Sequence, residues 1–211
     1  MNCVTAPLRE LNEFEEISSF LKRHTGTVLA SGCIDSQKVH FIKGLGEEFP
    51  YKLILTYTET KAKELYEDYK FFDPEVLYYP AKDLIFYQAD LCGNQVTTRR
   101  MKVIREILEG KRITIVITAD ELLAPHVPLE EYKECLLSLQ KGGIAEEVAI
   151  AHRLVSLGYE RVSQVEEPGQ FSIRGGIVDV FDLTEENPYR IELWGDEVDS
   201  IRSFDVLSQR S

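Results

Sequence analysis

Residues 170–181 read QFSIRGGIVDVF, two short, mainly apolar segments separated by Arg174-Gly175-Gly176, in which Ser172 and Asp179 each alternate with apolar neighbours. Alternating side chains lie on opposite faces of a β-strand, and a glycine pair permits the backbone angles of a tight turn. The stretch therefore predicts a β-hairpin with strands at about 170–173 and 176–181.

Similar segments lie on both sides of this hairpin, separated by turn residues such as Glu167-Pro168-Gly169 and Gly195-Asp196. They predict further strands at 159–165, 189–194 and 197–204, preceded by one amphipathic helix at 144–157. We therefore expect the second part of the chain to be a small α+β domain with a mostly antiparallel sheet backed by a helix.

The first part of the chain has a different pattern, in which predicted helices alternate with short apolar strands. The helices are expected at 11–21, 37–48, 59–70 and 96–108, and the strands at 27–30, 52–56, 75–79 and 113–117. Such alternation predicts parallel β-α-β units, with helices on both faces of the sheet. Because Pro125 and Pro128 interrupt regular structure between the two patterns, we predict an α/β domain over 1–126 and an α+β domain over 127–211.

The charge of the chain limits the classes of partner. There are 24 basic and 36 acidic residues, giving a net charge of −12, of which −9 falls on residues 127–211. Phosphate affinity comes mainly from Lys and Arg, so a general nucleic-acid or anionic-membrane module is disfavoured. Residues 99–112 hold six cations, but these alternate with apolar residues as in a helix that faces a sheet.

The sequence also bears on location. With no apolar run near the ~20 residues of a membrane span and no leader pattern, we expect a cytoplasmic protein.

A degenerate phosphate-binding loop follows the first predicted strand. In the motif G-x-x-x-x-G-K-[ST], backbone N–H groups wrap the phosphates, Lys contacts their oxygens and the hydroxyl binds Mg²⁺. Gly32 and Lys38 stand in register with this motif, but Gln37 replaces the second glycine and Val39 the hydroxyl residue. Asp35 adds a negative charge where phosphate would lie. We therefore expect no nucleotide site here.

Other catalytic patterns are weak. The four cysteines are widely spaced with no C-x-x-C pair, which favours reduced thiols over a disulfide or a zinc site. The four histidines are isolated, and the acidic run that includes Asp196, Glu197 and Asp199 is more simply a solvated strand edge than a metal site. Composition and spacing therefore favour a binding module over an enzyme.

Several motifs resemble a known family. In the first part they are YPAKD at 79–83, VTTRR at 96–100 and IVIT at 115–118. In the second part they are GYERV at 158–162, PGQF at 168–171, RGGIVDVF at 174–181 and YRIELWGDEVDSIR at 189–202, followed by SQRS at 208–211. These motifs resemble the N-terminal region of the bacterial transcription-repair coupling factors (Mfd), which includes a module homologous to the repair protein UvrB. The resemblance is tightest over 158–211.

The resemblance implies a RecA-like first domain of the helicase type that has lost its P-loop, and a second domain that binds UvrA. It also implies that the chain is a fragment of a longer DNA translocase, which displaces stalled RNA polymerase from duplex DNA and recruits nucleotide excision repair. ATP and Mg²⁺ would act in motor domains outside this chain. The fragment itself is then expected to be non-catalytic, to need no cofactor and to recruit UvrA.

The UvrB motif, matched position by position, implies Arg161 and Arg174 as UvrA-binding residues, with Phe171 on the same hairpin. Arginine suits an interface because its planar fork binds carboxylates in a bidentate manner, and Arg and aromatic residues often dominate binding energy. We expect both arginines to be exposed on one face of the second domain. The alternative is that they are ordinary surface cations and that Phe171 is a core residue, as expected for Phe181.

Two other identities compete with this interpretation. A fragment of UvrB itself would use ATP, which the degenerate loop disfavours, and it would need a long aromatic-rich hairpin for which 85–96 leaves no room. A nucleotide-binding enzyme of the α/β class is the other alternative, and titration with ATP separates it from a recruitment module.

Overall fold

The computed structural model describes residues 5–23, 25–82 and 90–209, with side chains from residue 95 onward in the last range. The chain divides into two compact units, Met1–His126 and Val127–Ser211. Within the described residues, no helix combines the length and apolar character that crossing a bilayer requires.

The first unit contains a parallel sheet in the strand order β1-β3-β2. Its elements are a 3₁₀ helix (Ala6–Glu10), α1 (Asn12–Arg23), α2 (Asp35–Gly46), β1 (Tyr51–Thr56), α3 (Glu59–Lys70), β2 (Leu77–Tyr78), α4 (Asp90–Leu108), β3 (Ile113–Thr118) and α5 (Ala119–Leu123). Strand β3 pairs with both neighbours in parallel, with Tyr51 opposite Ile113 and Leu77 opposite Ile115. The predicted parallel α/β arrangement is confirmed.

Helices α2 and α3 cover one face of this sheet. Helix α3 begins where the Thr58 hydroxyl accepts the N–H of Lys61 at 3.2 Å, a typical N-cap. The core that it forms with α2 and the strands consists of fully or nearly fully buried residues: Val39, Ile54, Ala62, Tyr69, Val76, Tyr78 and Val116.

One expectation for the first unit is wrong, and another holds over only part of the sheet. The apolar run at 27–30 is not a strand, and its Leu29 side chain is 91% exposed. A short run of strand-forming residues becomes a strand only when its backbone groups find a partner, and none pairs with it among the described residues. The predicted helices on both faces of the sheet are found only in part: α4 packs against β2 and β3, whereas Leu53 and Leu55 on β1 are about half exposed.

The second unit contains a five-stranded sheet with helix α7 against one face. Its elements are α6 (Leu129–Glu134), α7 (Glu147–Ser156), β4 (Glu160–Arg161), β5 (Gln170–Arg174), β6 (Ile177–Val180), β7 (Tyr189–Trp194) and β8 (Glu197–Ser203). The strands follow this order across the sheet, with β4 and β5 parallel and the other pairs antiparallel. The prediction of a mostly antiparallel sheet backed by a helix is confirmed.

Strand alternation gives this sheet two different faces. On the helix face, Phe171, Val178, Ile191 and Val198 pack with Ile150 and Leu154 of α7. The opposite face, which we call the polar face, carries rows of cross-strand partners. One row is Ser172, Asp179, Arg190 and Arg202, and another is Arg174, Ile177, Glu192 and Ser200. The tight turn between β5 and β6 has Gly175 and Gly176 at φ of 57° and 83°, values that favour glycine.

Candidate functional site

Arg174 lies at the end of β5, immediately before the Gly175-Gly176 turn, on the polar face of the second unit. Its side chain is 53% exposed, and its Nη2 donates to Oδ2 of Asp179 at 2.9 Å. One hydrogen bond fixes the guanidinium while its other N–H groups remain available on the exposed side. The side chain is thus both accessible and partly pre-oriented, so it would lose less conformational entropy when a partner binds.

Asp179, which sequence reasoning did not single out, is the carboxylate that organises this face. Its side chain is 0% exposed, and it also accepts from Nε and Nη2 of Arg190 at 2.7 and 2.9 Å. This hydrogen-bonded carboxylate raises the pKa of Arg190. Asp179 could have been found as the one charged residue inside the apolar run IVDVF. Buried charges in folded proteins are normally paired, so such a residue indicates a partner.

Arg190 extends the network toward the end of the chain. Its guanidinium carbon lies 4.5 Å from the centre of the Phe204 ring, and Nη1 donates to the carbonyl oxygen of Gln209 at 3.2 Å. Its side chain is only 17% exposed. Arg190 therefore acts in the fold of the polar face, whereas Arg174 is the arginine that this network presents to solvent.

Arg161 is exposed, as expected, but it does not share a face with Arg174. Strand β4 runs parallel to β5, with Arg161 directly opposite Phe171. Cross-strand partners project from the same face of a sheet, and Phe171 projects toward α7, whereas Arg174, three residues later, projects away from it. The expectation of one shared face is therefore wrong. Arg161 lies on the edge strand, so a partner that contacts both arginines must reach around that edge.

Phe171 is 0% exposed and packs in the core beneath α7. Its expected place in a partner-binding site is corrected accordingly: its ring cannot touch a partner while the sheet is folded. Phe171 instead fixes β5, and with it the hairpin that carries Arg174. Phe181 is 6% exposed, which confirms its prediction as a core residue.

In the degenerate loop, the residues at the start of α2 contact one another or the core and do not form an open phosphate-binding loop. Gly32 has a φ of 84°, and helix α2 begins at Asp35, whose Oδ1 accepts from Nζ of Lys38 at 2.8 Å. This hydrogen bond and charge hold the pKa of Asp35 below its usual value. Val39, at the position where a P-loop has its hydroxyl, is 1% exposed and belongs to the core.

Metal-ligating groups do not cluster in the part of the chain that the structure describes. Of the cysteines with described side chains, Cys33 and Cys135 are free thiols.

A buried ion pair in the first unit was also missed, because Arg100 was assigned with the other cations of its helix. Arg100 is 8% exposed, and its Nη1 donates to Oε1 of Glu121 at 2.6 Å and to the carbonyl oxygen of Pro80 at 2.8 Å. Its guanidinium also lies 4.2 Å from the centre of the Tyr79 ring. These contacts hold the segment that follows β2 against α4 and α5, a structural role.

Comparison with known proteins agrees with the motifs of the second unit. Residues 137–211 match the family model of the UvrB interaction domain. Most of the second unit, including the hairpin that carries Arg174, is therefore similar to the UvrB interaction domain.

The whole chain is also similar to longer proteins. It is 34% identical to the transcription-repair-coupling factor of Bacillus subtilis (strain 168) and 31% identical to that of Staphylococcus aureus (strain USA300), in both cases over 100% of the chain. The chain is related to the transcription-repair-coupling factors, and the resemblance drawn from its motifs is confirmed. It spans 18% of the length of these relatives.

Proposed function

We propose that this chain is a non-catalytic recruitment module that brings nucleotide excision repair to a site of stalled transcription by binding UvrA through its second unit. Two findings support the proposal: the match of residues 137–211 to the UvrB interaction domain, and the relation of the whole chain to transcription-repair-coupling factors. The exposed guanidinium of Arg174, held at the hairpin tip by the buried Asp179, is the observation on which it depends most.

The contact would use Arg174 as a cation for a carboxylate of the partner. Charged side chains of this kind raise the rate of association and reject partners with like charge. Arg161, on the edge strand, would add a second contact for a partner that extends around the edge. Phe171 would contribute only by holding β5 in place.

The first unit would be a RecA-like domain that has lost nucleotide binding. The pairing of Asp35 with Lys38 and the burial of Val39 support this proposal, since both occupy positions that a nucleotide and Mg²⁺ would need. Within a longer parent protein, ATP-driven translocation on duplex DNA and contact with RNA polymerase would belong to other domains. Such a protein would act in the cytoplasm, where its DNA and polymerase lie.

The test is the affinity of the purified chain for purified UvrA, measured by calorimetry or biolayer interferometry. Arg174→Ala is expected to weaken binding by about tenfold or more, because truncating one partner of an interfacial charge pair costs ~2–5 kcal/mol. Its melting temperature should change little, because Asp179 keeps its bidentate partner Arg190. Arg9→Ala, at an exposed position of the first unit, is the charge-matched control.

Unchanged affinity in both Arg161→Ala and Arg174→Ala would refute the assignment of the site. Absence of any binding between UvrA and the unmodified chain would refute the proposed function itself.

A further inference from the structure

The second unit exposes two large apolar side chains that flank Glu197 on the surface of its sheet. Trp194 is 84% exposed and Ile144 is 78% exposed. Trp194 is the cross-strand partner of Glu197, and Glu197 is in turn bridged to Ile144 on its other side. Because cross-strand partners project from the same face, Trp194, Glu197 and Ile144 form one row on the surface of the sheet.

This row lies on the polar face, the face of Arg174. On β7, Leu193 packs in the core with α7, so its neighbours Glu192 and Trp194 project from the opposite face. Glu192 belongs to the row that contains Arg174 and Ile177. The irregularity between Glu192 and Leu193 falls in the pairing with β8 and leaves this alternation intact.

Trp194 and Arg174 also lie at the same end of the sheet. The N–H of Leu193 donates to the carbonyl oxygen of Gly176 at 2.7 Å, which brings the turn after Arg174 beside the last residues of β7. The exposed arginine and the exposed tryptophan therefore belong to one continuous surface.

We propose that Trp194, together with Ile144, is the apolar anchor of the surface through which Arg174 contacts its partner. This inference rests on the proposed function, because the partner is the one that binds Arg174. Trp and Arg are the residues most enriched among those that dominate binding energies, and a Trp ring buries a large apolar area at low entropic cost. Trp194 thus supplies the aromatic contact that the buried Phe171 cannot.

The arrangement also specifies the chemistry of the partner surface. It must offer an apolar pocket for the indole, a carboxylate for the free N–H groups of Arg174, and a cation or N–H donors opposite Glu197. A flat basic surface, such as one suited to nucleic acid, would satisfy Glu197 but would repel Arg174.

The first experiment measures the affinity of purified UvrA for Trp194→Ala and Ile144→Ala variants. Trp194→Ala is expected to weaken binding by about tenfold or more, and Ile144→Ala by less. Both residues are mostly exposed, so neither substitution should lower the melting temperature appreciably. Phe71→Ala is the matched control, because Phe71 is an aromatic residue that is 88% exposed in the first unit.

The second experiment uses the fact that Trp194 is the single tryptophan of the chain. Incorporation of 5-fluorotryptophan gives one ¹⁹F resonance, which should shift or broaden when unlabelled UvrA is added. Full affinity in Trp194→Ala, or a ¹⁹F resonance that does not respond at saturating UvrA, overturns the inference. If Arg174→Ala weakens binding in that case, the proposed function survives. If neither variant weakens binding, the proposed site fails as well.

Discussion

Replacing Asp179 by alanine should be among the most damaging single substitutions in the second unit. The carboxylate is completely buried and accepts three hydrogen bonds, two from Arg190 and one from Arg174, at 2.7–2.9 Å. Removing one partner of a buried ion pair leaves the other charge without compensation and costs ~3–5 kcal/mol.

The two arginines contribute unequally to that cost. Arg190 is 17% exposed and remains against Phe204, so it bears most of the penalty. Arg174 is 53% exposed, so its guanidinium regains water, and this half of the network contributes no more than about 1 kcal/mol. We therefore expect Asp179→Ala to lower the free energy of unfolding by about 4 kcal/mol, a large part of the ~5–15 kcal/mol typical of a domain.

Native-state hydrogen exchange of the β5, β6 and β7 amides measures this loss in the second unit alone, which matters because a chain of two units need not unfold in one step. The loss in free energy of unfolding should be smaller for Arg190→Ala than for Asp179→Ala, and smallest for Arg174→Ala. Asp199→Ala, at an exposed position of β8, is the matched control and should change stability by less than about 0.5 kcal/mol. A loss in Asp179→Ala no larger than in this control would refute the reasoning.

Three further predictions concern the first unit. Glu121→Ala should lower its stability by ~3–5 kcal/mol in urea unfolding, because Arg100 is left buried and unpaired, whereas the exposed neighbour Asp120→Ala should have little effect. Burial raises the pKa of Tyr69 from 10.0 to about 12. The neutral phenol is therefore favoured in the folded state, and about 3 kcal/mol of stability that is present below pH 10 should be lost as the pH rises toward 12. Tyr69→Phe should make this loss smaller without abolishing it, because burial and the hydrogen bond to Glu59 also raise the pKa of Tyr78. A wild-type stability that is unchanged between pH 9 and pH 11.5 would contradict the prediction. Calorimetry should show no binding of ATP with Mg²⁺, because Val39 occupies the core where a P-loop hydroxyl would face solvent; a micromolar Kd would overturn the proposal for this unit.

Local periodicity was sufficient for much of the fold. The helix predicted at 59–70 and the strand predicted at 189–194 have the observed bounds of α3 and β7. Side-chain alternation and helical spacing depend only on residues a few positions apart, so they can be read without knowing what packs against them. The glycine pair after Arg174 likewise identified its turn, because the backbone angles there favour glycine in any fold.

The same local signal was not sufficient for the run at 27–30, which has strand composition but no partner strand among the described residues. Whether an apolar run becomes a strand depends on hydrogen bonds to residues far away in the sequence. The family motifs predicted the similarity of the second unit to UvrB, but they could not decide which of the matched side chains reach solvent.

The amino-acid sequence by itself thus determined the alternation of elements, the hairpin that carries Arg174 and the family to which the chain is related. Only the tertiary structure decided that Phe171 is buried, that Arg161 and Arg174 project from opposite faces, and that Asp179 joins two arginines. The reason is strand register: a shift of one residue between neighbouring strands moves every side chain to the other face, and no local pattern specifies that pairing.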